Sequence, residues 1–159
     1  MEETILIKGQ HKTPEFLTIN PQGLVPTIVD DGFVLSESAA ILAYLADSRG
    51  LESWYPSDLK VRAKVNYWLH WSHSGTRKST EVFLHPALAG NFPREADVAE
   101  FSKIIQHMED ELVKNKEANE HHKFIADTSH PTIADLLLIP ELDQLTTFPA
   151  GSVIVTIVL

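Results

Sequence analysis

Asn20-Pro21-Gln22-Gly23-Leu24-Val25-Pro26-Thr27-Ile28-Val29-Asp30-Asp31-Gly32-Phe33-Val34-Leu35-Ser36-Glu37-Ser38 is the stretch that decides the reading of this chain. It holds a Val-Pro turn, two short strand-like runs and a helix start that sets a carboxylate beside a hydroxyl. Pro26 removes an amide hydrogen and restricts Val25 to extended geometry. An X-Pro bond in a tight turn is a candidate cis bond, and such a turn leaves the Val25 amide and carbonyl free to pair with an extended ligand. Thr27-Ile28-Val29 and Phe33-Val34-Leu35 read as two strands around an Asp-Asp-Gly turn, a short-range hairpin signal. Ser36-Glu37-Ser38 then opens a helix over Ala39 to Ala46, where Ile41, Leu42 and Leu45 fall at helical spacing. Free amides at a helix start favour an anion, and a Ser hydroxyl there adds a donor. Glu37 beside them suits an ammonium, although Glu-Ser at a helix start also reads as ordinary capping. Backbone groups and charges thus meet at one sheet edge, which suits a small, charged, peptide-like ligand.

Outward from this stretch, Thr4 to Lys8 reads as a strand and Thr13 to Ile19 as a short helix entered through Pro14. Asp47 to Ser57 has Gly, Pro and no period, as expected of an interdomain linker. Asp58 to about Leu84 reads as one long helical run ended by His85-Pro86. In Glu95 to Glu117, Val98, Phe101, Ile105, Met108 and Leu112 step by three and four, the helical period. Thr132 as N-cap with Asp135 three residues on forms a variant capping box that starts a further helix. Internal repeats and low-complexity segments are absent.

At 159 residues and 43% hydrophobic, the chain can bury a core of one or two small domains. It contains no cysteine, which excludes a disulfide framework and CxxC redox chemistry. The net charge of −9 is uneven: residues 1–80 hold eight Lys/Arg against nine Asp/Glu, residues 81–159 five against thirteen. A half this acidic repels nucleic acid and anionic membranes. The balanced first half, with Lys8, His11 and Lys12 clustered, suits a small anion better. The start Met1-Glu2-Glu3 is acidic and Val153 to Leu159 is too short to span a bilayer, so a cytoplasmic protein is expected. His70 and His73 lie at i, i+3, but no matching second ligand pair accompanies them, so metal binding is not expected. His121-His122 sits in a polar stretch and reads as surface loop.

Asn20-Pro21-x-Gly23-x-Val25-Pro26 followed by Leu35-Ser36-Glu37-Ser38-x-Ala40-Ile41-x-x-Tyr44-Leu45 resembles the glutathione site of the glutathione S-transferases. Lys8-Gly9-Gln10-His11-Lys12-Thr13-Pro14-Glu15-Phe16-Leu17 and Leu69-His70-Trp71-Ser72-His73, then Arg77-Lys78, resemble the theta class in particular. The resemblance covers roughly Thr4 to Leu145. It implies an α/β thioredoxin-like N-terminal domain lacking its first βα unit, followed by an all-α domain that receives the electrophile. The expected layout is a partial glutathione-binding domain over 1–47, a linker over 48–57, an incomplete helical domain over 58–145 and an atypical hydrophobic tail over 146–159. By resemblance, His11 and Lys12 face the glycyl carboxylate of glutathione. The Val25 backbone at Pro26 pairs with the cysteinyl unit, Glu37 accepts the γ-glutamyl ammonium, and Ser38 binds the adjoining carboxylate. Many relatives carry Lys where this chain has Leu24, so weaker binding of the glycyl end is expected.

Arg77 and Lys78 correspond to an Arg pair near the sulfur in theta-class relatives; their other reading is a solvated helix face. Trp68 and Trp71 could line the electrophile pocket, though aromatics on a long helix more often fill a core. Family chemistry depends on a hydroxyl that hydrogen-bonds the glutathione sulfur. The resemblance places it upstream of Thr4, so no catalytic residue is assigned, and Thr4 to Lys8 is expected to lack its neighbouring strand. The run Val-Ile-Val-Thr-Ile-Val-Leu at the end has no family counterpart and is an aggregation hazard unless covered; a truncated gene model would account for both ends. The implied function is conjugation of glutathione to hydrophobic electrophiles in detoxification, with a peroxidase side activity. Glutathione serves as co-substrate without a further cofactor, and the protein acts as a homodimer, cytoplasmic and by family also nuclear or peroxisomal. The alternatives are a non-catalytic glutathione-binding or protein-interaction module of the same fold, or an inactive truncated product.

Overall fold

The computed structural model describes residues 8–143 and 145. The expected strand at Thr4 to Lys8, except for Lys8 itself, and the apolar tail 146–159 lie outside them. The chain divides into two compact units, Met1–Gly50 and Leu51–Leu159.

In the first unit a 3₁₀ turn, Gln10–Lys12, leads into α1, Pro14–Ile19. The Thr13 hydroxyl caps α1 by accepting from the Phe16 amide at 3.3 Å, and Pro14 stands where a missing amide hydrogen costs nothing. Strands β1, Thr27–Asp30, and β2, Phe33–Ser36, form an antiparallel hairpin in which Asp30 opposes Phe33 and Thr27 opposes Ser36. The two-residue connection is Asp31-Gly32, both with positive φ, at 48° and 83°. That is the backbone a type I′ turn needs, and Asp and Gly tolerate it. Helix α2, Ser38–Ser48, buries Ile41 and Ala46. Its Tyr44 hydroxyl donates to Asp30 Oδ2 at 2.9 Å and its ring meets Phe33 at 5.2 Å, fixing α2 to the hairpin's closed end. The bond to Asp30 raises the Tyr44 pKa.

The second unit is helical: α3, Leu59–Trp71; α4, His85–Leu88; α5, Glu95–Ala118; α6, Ile133–Asp143. Its buried side chains include Val65, Trp68 and Leu69 of α3, Phe101, Ile105 and Met108 of α5, and Ile133, Ala134 and Leu138 of α6. Phe83 stacks edge-on against Phe101 at 5.2 Å. Asp58 starts α3 by accepting from the Lys60 and Val61 amides, both at 3.0 Å. At α6, Asp135 Oδ2 accepts from the Thr132 amide at 2.8 Å and hydroxyl at 3.0 Å, while the Thr132 hydroxyl accepts from Ala134. Asp135 Oδ1 also takes the Ile125 amide at 3.0 Å, so one carboxylate ties the preceding loop to the helix.

The expected single run from Asp58 to Leu84 is corrected. Helix α3 stops at Trp71, and a series of turns follows through Arg77. The cause is local packing: the Trp71 indole lies so close over Gly75 that a Cβ there would stand 2.3 Å from the ring. The Ser72 hydroxyl also donates back to the Leu69 carbonyl at 2.7 Å, a bond that bends helices. Nor does His85-Pro86 end the helix. Thr80–Leu84 form a widened π-type turn in which the His85 amide reaches the Thr80 carbonyl, and α4 continues past Pro86. A proline inside an ordinary helix clashes with the carbonyl four residues back; the widened turn before Pro86 gives that carbonyl room.

Candidate functional site

The hairpin register brings the two halves of the sequence motif together. Thr27 opposes Ser36, so Val25-Pro26 and Glu37-Ser38 leave the strands side by side at the open end. The Val25-Pro26 peptide is cis, as the turn reading expected. Among the described residues, neither the Val25 amide nor its carbonyl has a hydrogen-bond partner.

Asn20 sets the loop that delivers Val25. It is buried, and its side-chain amide donates to the Leu24 carbonyl and to the Thr27 hydroxyl, each at 3.0 Å. Its side-chain oxygen accepts from the Gln22 amide at 3.1 Å, and its carbonyl accepts from Gly23 at 2.9 Å. Thr27 adds a hydroxyl bond to the Leu24 carbonyl at 2.9 Å. Every polar atom of the Asn20 side chain is used. Sequence reasoning quoted Asn20 within the motif without giving it a role; an Asn immediately before Pro-x-Gly was the available signal, since Asn side chains bond their own backbone two residues on.

Glu37 stands at the α2 start with φ 76° and ψ 115°, a conformation rare for a side chain other than glycine's. Its carboxylate does not cap the helix; the side chain is exposed. The capping reading of the Glu-Ser pair is therefore corrected at Glu37, because this backbone turns the side chain away from the first amides. Helix starts leave such amides without intrahelical partners, and here they stand beside the half-buried Ser38. His11 and Lys12 come from the 3₁₀ turn next to Gly23: a Cβ on Gly23 would lie 2.9 Å from the His11 carbonyl oxygen and 2.9 Å from the Lys12 ammonium. The Nδ1 of His11 is buried with no hydrogen-bond partner among the described residues. Leu24 is half exposed beside them.

In the helical unit, Arg77 lies in the turns after α3, and its Nη1 donates to Glu141 at 2.6 Å. Lys78 donates to Glu100 at 2.5 Å, a bond that raises the Lys78 pKa and lowers that of Glu100. Both cations are thus partnered across the unit. Trp71 is half-buried, edge-on to Trp68 at 5.0 Å and 5.6 Å from the His107 ring, and Trp68 is buried. A groove of about 280 Å³ in this unit is lined by Lys64, Tyr67, Trp68, Glu111 and Asp127, without Trp71, Arg77 or Lys78. Another of about 180 Å³ includes Lys78, but with Arg94, Asp97 and Glu100 around it. Among the described residues, no group of three or more His, Asp or Glu is placed to hold a metal, and no helix is long and apolar enough to cross a membrane.

Residues 2–48 match the family described as glutathione S-transferase, N-terminal domain. Along the chain, glutathione S-transferase theta-1 of Mus musculus is 36% identical over 152 residues, covering 89% of this chain and 60% of that protein. Glutathione S-transferase T1 of Arabidopsis thaliana is 39% identical over 150 residues, 88% of this chain and 59% of the relative. Among solved structures, a delta-class glutathione transferase of Nilaparvata lugens superposes with a TM-score of 0.80 at 35% identity, over 91% of this chain and 65% of that one. Human glutathione transferase theta-2, solved in complex with glutathione and an unknown ligand, gives 0.75 at 35% identity, over 89% and 59%. The chain spans about three fifths of the length of the curated relatives it matches.

Proposed function

The chain belongs to the glutathione S-transferase family, and from that premise we propose that it holds glutathione at the open end of the hairpin and conjugates its thiol to hydrophobic electrophiles, as a theta-like transferase. The observation that carries this reading is the pairing of a Val25 backbone that has no hydrogen-bond partner among the described residues with the Glu37-Ser38 helix start, set side by side by the hairpin register. An extended peptide can add its own amide and carbonyl to Val25 as a further strand would. The γ-glutamyl end then meets Glu37 through its ammonium, and Ser38 with the α2 amides through its carboxylate. His11 and Lys12 lie on the glycyl side. The glutathione-bound human theta-2 protein, similar over 89% of this chain, supports the ligand.

The chemistry asks for a hydroxyl that stabilises the thiolate; none of the residues named above is assigned that role. Arg77, Lys78 and Trp71 are the residues of the helical unit proposed to act in the thiolate and electrophile chemistry. Homodimerisation, a cytoplasmic location, a role in detoxification and a peroxidase side activity belong to the same reading.

The chain is expected to be retained on a glutathione matrix and released by free glutathione; passage in the flow-through refutes the site. Turnover of an activated aryl halide or an organic hydroperoxide then separates a transferase from a module that only binds. At position 24 the missing cation gives a further expectation. Leu24→Lys tightens glutathione binding by about two- to fivefold, the range of an exposed ion pair. Unchanged affinity in titration calorimetry shows that the glycyl end does not pass this position.

A further inference from the structure

Lys12 is already engaged. Its ammonium donates to the Gly23 carbonyl at 2.8 Å and to the Gln22 carbonyl at 3.3 Å. An ammonium has three donors and no acceptor, so most of its capacity goes to the backbone of the loop that carries Val25. The fit is close on both sides: Gly23 is buried at φ 60°, and any side chain there would strike the Lys12 ammonium and the His11 carbonyl. The base of Lys12 is fixed as well, through its amide bond to the Gly9 carbonyl at 2.8 Å. The loop from Asn20 to Leu24 is therefore held from within by Asn20 and from outside by Lys12.

We propose that Lys12 is a positioning residue that clasps the Gln22-Gly23 backbone onto the 3₁₀ turn and thereby fixes where the Val25 amide and carbonyl stand, rather than serving as the cation for the glycyl carboxylate. The proposal rests on the glutathione reading of the site. A hydrogen bond from a charged donor is a strong one, and two of them on adjacent carbonyls tie down the segment just ahead of the ligand-pairing residue.

Two measurements on the full chain decide it. Without ligand, amide hydrogen exchange over residues 20–27 is followed in the native chain and in Lys12→Met. The clasp predicts about a tenfold rise in exchange there, with α5 unchanged as a control, and recovery of most of the protection in Lys12→Arg, whose guanidinium still donates to carbonyls. Unaltered exchange in Lys12→Met overturns the proposal. Should that variant also lose protection in α5, Lys12→Ala, which likewise has no side-chain donor, replaces it in the comparison. With ligand, glutathione and its glycyl ethyl ester, which lacks the carboxylate charge, are titrated into both chains. A positioning role predicts that Lys12→Met weakens both by the same factor, about tenfold. A loss for glutathione alone assigns Lys12 to the carboxylate and overturns the clasp. Failure of the native chain to bind either compound refutes the glutathione site, while the ligand-free exchange still decides the clasp.

Discussion

At Glu37 the backbone adopts φ 76° and ψ 115° at the point where the motif presents its carboxylate. Holding a non-glycine residue there costs on the order of 1–3 kcal/mol, and the surrounding hairpin and helix sustain it. Glu37→Gly is therefore expected to raise the unfolding free energy by about 1 kcal/mol while weakening glutathione retention, because the strain is relieved and the carboxylate is lost. Urea denaturation monitored by circular dichroism reads the first effect. An unchanged or lowered midpoint shows that the conformation carries no cost. At this scale the sequence disclosed chemistry better than partners. Val25-Pro26 and Asp31-Gly32 announce their turns because proline and glycine restrict or free the backbone directly. The Lys12 bonds to Gln22 and Gly23 depend on how a loop ten residues away folds back, which no local rule contains.

At the scale of elements, Gly75 decides where α3 ends. The Trp71 ring occupies the space of its absent side chain, so Gly75→Ala must push the indole off Trp68 and His107. Such overpacking costs typically about 1–3 kcal/mol, read as a lower urea midpoint together with altered tryptophan fluorescence; an unchanged spectrum and midpoint refute the account. The loop before α6 supplies a pH effect. Asp127 is bonded by Lys64 and, at 2.7 Å, by His122, and chiefly the Lys64 bond holds its carboxyl below the ordinary value near 3.8. A depressed folded pKa means that the contribution is present above that value and is lost as the pH falls through the lower folded one. Asp127→Asn keeps the positive φ of 60° within reach and removes the titration. Its stability is expected to fall less than that of the native chain between about pH 5 and pH 2, measured by urea midpoints across the range. Parallel curves for the two chains would show that Asp127 is not a source of acid sensitivity.

Over the whole molecule, apolar surface remains on one face of the hairpin: Val29 and Val34, opposed across it, are 55% and 42% exposed. Contiguous apolar patches on a sheet promote association, so Val34→Lys is expected to reduce concentration-dependent light scattering of the native chain; equal scattering clears this face. The architecture was legible in part. The hairpin, α1, α2, α5 and the Thr132-Asp135 box follow from periodicity and capping, and the hairpin register then assembles Val25 and Glu37 without further information. What stayed hidden was set by distant partners: Arg77 on Glu141, Lys78 on Glu100, Asp135 on the Ile125 amide. The widened turn at Thr80–Leu84 has one consequence for the helical unit as a whole. In a regular helix, Lys78 and Phe83, five residues apart, would point roughly 140° away from each other. With the turn widened, both reach adjacent residues of α5, Lys78 at Glu100 and Phe83 at Phe101. The segment acts as a two-point clamp whose angular phase is tuned by one extra residue. Rewinding Thr80–Leu84 as ordinary α-helix at unchanged length would swing the two side chains apart by that angle and release one of the two grips.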